Sequence, residues 1–337
     1  MTLNQINLKL AGLILFVAAF SFSCSDMEQD APYAADAEEL LSIPEVLKSM
    51  EDGMDDASEI NARRGPNNNA NKGPRGNTFA TFNAALGSSG LASVFARNNL
   101  TAFAPTDAAF AALGLNPGNV RNVPNLREIL LYHVVEGRVL STDLVDGFVP
   151  TVNGAAVEIN TSGPTVNEAN IILANIRARN GVIHGIDQVL LPPTENIVEI
   201  ALGNDDFSIL VDAVVAAGFV DLLATTNNLT VFAPTNDAFV ALLEELKFDS
   251  LEDLIDEEDG IGIAGLQGVL AYHVFAGRVF SSDLSNTTIT MFSGDEVTID
   301  VSGPSLIDAN GRTSGIVATD IQATNGVIHV IDKVILP

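Results

Sequence analysis

Apolar and polar residues fall into two recurring registers along this chain, one suited to helices and one to strands. Apolar residues at helical spacing over Phe79–Ala85 and Phe207–Val215 predict helices. Ala102–Ala104 and Val231–Ala233 predict short strands, because Pro105 and Pro234 push the residue before each toward an extended backbone. Thr106-Asp107 and Thr235-Asn236 are capping residue types, so a helix is predicted to start at each and to bury Phe110 and Phe239. Leu126–Tyr132 and Leu266–Tyr272 predict further helices. Val157–Ile159 and Val297–Ile299 alternate as strands and end in Ser-Gly-Pro turns at Ser162 and Ser302. Val182–Leu191 and Val327–Leu336 are nearly continuous apolar runs, predicted as central buried strands.

Every one of these elements occurs twice, and so do the residues around them. Thr101-Ala-Phe-Ala-Pro-Thr-Asp-Ala-Ala-Phe110 returns as Thr230-Val-Phe-Ala-Pro-Thr-Asn-Asp-Ala-Phe239. Tyr132-His133 returns as Tyr272-His273, and Gly137-Arg-Val-Leu-Ser as Gly277-Arg-Val-Phe-Ser. Asn180-Gly-Val-Ile-His184 returns as Asn325-Gly-Val-Ile-His329. The period exceeds that of a solenoid unit, so this is a duplicated domain. The offset grows from 129 residues at Thr101/Thr230 to 140 at Tyr132/Tyr272 and 145 at Asn180/Asn325. The second copy therefore holds an insertion before its Tyr-His and another near Gly311–Gly315, both expected in surface loops. The second copy also opens with a helical stretch, Asn196–Leu202, whereas only polar linker precedes Phe79. The first copy either lacks that helix or takes it from Ala37–Met50 across a long loop, the option we favour. Pro44 interrupts the apolar pattern there.

The three blocks, in this order and in both copies, resemble the signature stretches of the fasciclin-type domain family. The resemblance implies an α+β fold: two tandem fasciclin-like domains, each a wedge-shaped β-sandwich with flanking helices, exported and adhesive. It marks Pro105, Thr106, Tyr132, His133 and His184, with Pro234, Thr235, Tyr272, His273 and His329, as family-motif positions with structural roles. It also singles out Asp320-Ile321, since an Asp-Ile pair at this place is implicated in integrin recognition in animal members. The first copy holds Asn175-Ile176 there. The expected division is a signal peptide over 1–23, an acidic tether and linker over 24–76, and domains over 77–193 and 194–337.

Charge narrows the partners. The chain carries a net −27, of which residues 194–337 contribute −19 and residues 77–193 only −2. Such a chain repels phosphate backbones, which argues against nucleic acid. Leu10–Phe20 is an apolar run of export-signal length, too short to span a bilayer. Ser21-Phe-Ser-Cys24 follows it and resembles a bacterial lipobox, with Cys24, the single cysteine, as lipid acceptor. The acidic Ser25-Asp-Met-Glu-Gln-Asp30 resembles a surface-export signal. We read an outer-membrane lipoprotein, attached to the membrane through its N-terminal lipid, facing the cell surface in preference to the periplasm. Arg63–Gly76 reads as a flexible basic linker.

Catalytic chemistry is not written in the chain. It carries no nucleophile elbow, phosphate loop, dinucleotide fingerprint or zinc spacing, so no cofactor or metal is expected. The histidine pairs are read as buried residues satisfied by backbone, and Asp187 and Asp332 as carboxylates in the last strands that accept hydrogen bonds. The acidic insert Glu252–Asp259 lacks the alternating spacing of a calcium loop and reads as solvated charge. The resemblance implies recognition of an unknown protein or glycan ligand without catalysis; the alternatives are a periplasmic accessory lipoprotein that binds another envelope protein, and a metal-binding or enzymatic protein that uses the histidine pairs.

Overall fold

The structure is a computed structural model that describes residues 41–51 and 78–337. Each half builds a seven-stranded sheet with helices packed on it. In the first half the strands are β1 (Leu100–Pro105), β2 (Val134–Glu136), β3 (Gly147–Pro150), β4 (Ala156–Asn160), β5 (Thr165–Val166), β6 (Ala169–Ala178) and β7 (Gly181–Ile186). Their order is β2-β1-β7-β6-β5-β4-β3, with β1 and β7 parallel and every other pair antiparallel. The second half repeats this with β8 (Leu229–Pro234), β9 (Val274–Ala276), β10 (Thr287–Thr290), β11 (Glu296–Asp300), β12 (Ser305–Ile307), β13 (Thr313–Gln322) and β14 (Gly326–Ile331). This is the expected α+β architecture.

The long strand β6 pairs with β5 at its start and with β7 beyond, through two register shifts; β13 does the same. Bulges bend a strand and increase its twist, so the two ends of the sheet turn toward each other and enclose a second core. Strand β1 faces both cores. Ala102 and Ala104 meet the helices, while Phe103 joins Val157, Ile159, Val166 and Ile186 between the sheet's two ends. The apolar runs that end in Leu191 and Leu336 are shorter as strands than expected, because pairing stops at Ile186 and Ile331. Asp187 and Asp332 therefore lie one residue past the strands, not within them. Asp187 accepts from the Asn170 N–H at 2.8 Å and Asp332 from the Gly315 N–H at 2.7 Å.

The helix missing ahead of Phe79 is supplied from upstream. Ile43–Met50 is helical, and its Ile43, Val46, Leu47 and Met50 are buried in the first core. Pro44 stands in the first turn, where its missing N–H costs nothing, so it opens the helix where the sequence suggested an interruption. The expected tether of 24–76 thus gives up this helix to the first domain. Asn180 fixes it, taking the Ile43 N–H on Oδ1 at 3.0 Å while its Nδ2 donates to the Asn98 carbonyl at 2.8 Å. Asn325 holds helix Ile197–Leu202 in the same way, accepting from the Ile197 N–H at 3.0 Å. The next residue must be glycine. A Cβ on Gly181 would lie 1.9 Å from the Leu100 carbonyl oxygen, and one on Gly326 would lie 2.3 Å from that of Leu229.

The insertions of the second copy meet each other. The first lengthens helix Asn236–Leu246 and adds a short helix, Leu251–Leu254; the second is the Asp308–Arg312 loop. Arg312 pairs with Glu245 at 2.9 Å, and Asp308 takes the Arg312 N–H at 2.9 Å. Charges in the acidic insert serve as local caps: Asp256 accepts from the N–H groups of Glu258 and Asp259 at 2.8 and 3.0 Å.

Candidate functional site

The motif residues converge, and most of them spend their polar groups on backbone N–H and carbonyl groups of the surrounding elements. Thr106 and Thr235 cap their own helices, accepting from the N–H groups of Ala109 and Ala238 at 3.3 Å. The following Asp107 and Asn236 instead cap the starts of helices Ala80–Ser88 and Ser208–Ala216, accepting from the N–H groups of Thr81 at 2.7 Å and Ile209 at 3.0 Å. Thr101 donates to the Gly137 carbonyl at 2.9 Å and accepts from the Val139 N–H at 2.8 Å, and Thr230 repeats both bonds with Gly277 and Val279. Arg138 and Arg278 of the Gly-Arg-Val blocks donate to carbonyls at the β6–β7 and β13–β14 turns. Tyr132 and Tyr272 donate to the carbonyls of Ala156 at 2.8 Å and Glu296 at 2.6 Å.

The four histidines are buried, and both nitrogens of every ring are engaged. In His133, Nδ1 lies 2.7 Å from the Ile129 carbonyl, which can only accept, so Nδ1 carries the proton; Nε2 then accepts from the Leu190 N–H at 2.9 Å. His273 repeats this with Val269 and Ile335. In His184 and His329 the roles reverse. Nε2 donates to Val139 or Val279 at 3.0 Å, and Nδ1 faces the N–H of Asn175 or Asp320 at 3.4 Å. Burial pushes the pKa of His133 and His273 down to about 4 and also lowers those of His184 and His329. A neutral ring whose only lone pair accepts an amide proton has none left for a metal or a substrate proton. Among the described residues no group of three His, Cys, Asp or Glu side chains is placed to hold a metal ion.

The Asp320-Ile321 pair lies at the bulge of β13. Asp320 adopts a left-handed backbone with φ 63°, as does Asn175 with φ 62°. The Asp320 carboxylate accepts from the Ser281 N–H at 2.7 Å and from the Ser281 hydroxyl. Asn175 meets Ser141 at the same two places, its Oδ1 accepting from the Ser141 N–H at 2.8 Å and its Nδ2 donating to the Ser141 hydroxyl at 2.7 Å, so the side-chain bond runs the opposite way. The substitution between copies therefore keeps the geometry and changes the charge. Asp320 is only half-buried, and two bonds leave its carboxylate with acceptor capacity to spare. Ile321 packs on the second domain's core.

The next residue joins the two domains. The Gln322 amide accepts from the Ala156 N–H at 3.0 Å and donates to the Ala156 carbonyl at 2.9 Å. Beside it Phe148 and Phe280 stack, with centroids 4.3 Å apart and planes 10° apart, over Ala156 and Val327. Gly147 is part of this seam: at φ 128°, a Cβ there would come within 3.1 Å of the Ser282 side chain. None of these seam residues was singled out from the sequence. The signal was their divergence inside a repeated frame, Phe280 against Leu140 and Gln322 against Arg177. Cys24, the segment 1–23 and the basic run 63–76 lie outside the described residues.

The fold and its interlocked motifs define a tandem of two like domains. The family described as "Fasciclin domain" matches residues 77–192 and 205–337, and the chain belongs to that family. It is 31% identical over 248 residues to the transforming growth factor-beta-induced protein ig-h3 of Sus scrofa, covering 71% of this chain and 35% of that protein. It is 30% identical over 259 residues to human periostin, covering 72% of this chain and 29% of that one. It is 38% identical over 152 residues to the Synechocystis protein sll1483, covering 45% of this chain and 79% of that one. The chain thus spans about a third of the two animal relatives. A solved FAS1 domain pair from the insect cell adhesion molecule Fasciclin I covers 76% of this chain and 96% of its own, with a TM-score of 0.37 and 20% identity.

Proposed function

We propose that this chain is an exported, non-catalytic adhesion or recognition protein, anchored at the cell envelope by a lipid on Cys24 and turned toward the surface. Its ligand is a protein or glycan met at the edge of β13. The observation that carries the reading is the placement of Asp320. The carboxylate is held by Ser281, keeps acceptor capacity, and stands two residues from the Gln322 clamp that fixes one domain on the other. Recognition gains from such preorganisation, since little side-chain freedom is lost on binding. The motif histidines and tyrosines hold the domains together from inside, leaving the outer edges to vary between copies. Tandem domains favour multivalent contact.

Two measurements test it. Protease shaving of intact cells, read with antibody to the second domain, should cleave that domain while a periplasmic marker survives. Protection until the outer membrane is opened would refute surface display and direct the search to a periplasmic partner. For the site, Asp320→Asn copies the first domain's solution. It should leave the melting temperature within a degree or two of the parent and reduce attachment of cells or protein-coated beads. Attachment equal to the parent would remove Asp320 from the ligand site.

A further inference from the structure

A cavity of about 100 Å³ opens in the second domain between helix Ile197–Leu202, helix Ser208–Ala216 and strand β8. Its wall is apolar, with Ala201, Leu210, Val214, Leu223 and Val231 in the lining beside His273. The first domain shows why it is open. The positions equivalent to Ala201, Leu210 and Leu223 are Leu47, Phe82 and Phe95, all wholly buried. Phe82 packs edge-on against Phe95, with centroids 6.1 Å apart, and lies 5.9 Å from the His133 ring. Met50, also wholly buried, corresponds to Asn204, which faces solvent and caps the next turn. Four large side chains that fill the first domain are thus absent from the second.

The space is reached from outside. Leu210, Val214 and Leu223 keep 6–8% of their surface exposed, against none for Phe82, Leu86 and Phe95. The rim has changed too. Leu202 and Val215 stand 64% and 60% exposed where the first domain presents Lys48 and Gly87. An apolar cavity of this order excludes water, which finds no polar partners in it, and takes up small hydrocarbons instead. Both nitrogens of His273 are already bonded, so its ring brings no free polar nitrogen to the lining.

We propose that the second domain binds a small uncharged hydrocarbon group, an alkyl chain end or a single ring, in this cavity, and that the first domain does not. The proposal is independent of the Asp320 reading.

The test uses the full chain with labelled Leu and Val methyl groups, titrated separately with benzene and n-pentane and followed by NMR. Saturable shifts should gather at Leu210, Val214 and Leu223, leaving Leu86 and Leu130 of the first domain unmoved. The probe that saturates distinguishes a ring from a chain. Leu210→Phe with Leu223→Phe restores the first domain's filling and should abolish the shifts. Ala201→Leu alone narrows the same space and carries the test if the double variant does not fold. Absence of saturation with both probes, or shifts that persist in the filled variants, would overturn the proposal.

Discussion

His133 and His273 make the stability of this protein depend on pH in a defined window. Each ring is neutral in the fold because burial disfavours its charged form, which holds its pKa at about 4 against 6.5 in the unfolded chain. The unfolded state therefore binds more protons between those values. The contribution of each ring is present in full above pH 6.5 and is lost as pH falls toward 4. At 1.36 kcal/mol per unit of difference, each contributes about 3 kcal/mol across the window. Denaturant unfolding followed from pH 7 to pH 4 should show the midpoint falling steadily. In His133→Gln the fall should be shallower, from a lower starting stability. A midpoint flat between pH 6.5 and 4 would mean that the rings are not held neutral by the fold. The recurrence of these residues in both copies made a structural role legible in the sequence. Which nitrogen carries the proton was not, because the partners are backbone groups of Ile129, Leu190, Val269 and Ile335, whose positions only the fold provides.

Among elements, helix Ile43–Met50 is the most exposed to test. It belongs to the first core yet precedes the family match that begins at residue 77. Burial of Leu47 and its neighbours contributes about 1.5–3 kcal/mol per side chain, and Asn180 ties the helix start to the turn between β6 and β7. Leu47→Ala should destabilise the first domain by about 2–5 kcal/mol. A chain beginning at residue 78 should lose more, since Phe79, Phe82 and Phe95 would face water on one side. Calorimetry of both forms checks this, and a truncated chain as stable as the parent would contradict it. Most elements could be read from the sequence. Proline and capping chemistry act within a few residues, and Leu126–Tyr132 is a helix over the expected span. The strand ends were not legible. In Val182–Leu191 the apolar run continues past Ile186 because Leu190 packs in the second core while its N–H bonds His133. An apolar run records burial, whatever the backbone does.

At the scale of the molecule, the seam turns two domains into one body. Its contacts join residues far apart in the chain, Gln322 to Ala156 and Phe280 to Phe148. No local pattern announces such pairs, which is why the duplication was readable and the docking was not. Ala156 is buried, so removing the Gln322 amide leaves its N–H without a partner, at a cost of about 1–3 kcal/mol. The stacked rings add about 0.5–1.5 kcal/mol beyond their buried area. Each domain keeps its own two cores, so losing the seam should uncouple the domains without unfolding either. Gln322→Ala with Phe280→Ala should therefore split one cooperative thermal transition into two and shorten the rotational correlation time as the domains begin to tumble separately. An unchanged single transition with unchanged tumbling would show that the seam does not couple them. If the ligand is read by both domains, the double variant should also weaken attachment while Asp320 stays in place. The loss would come from geometry alone, because the recognition surface needs both domains held in one orientation.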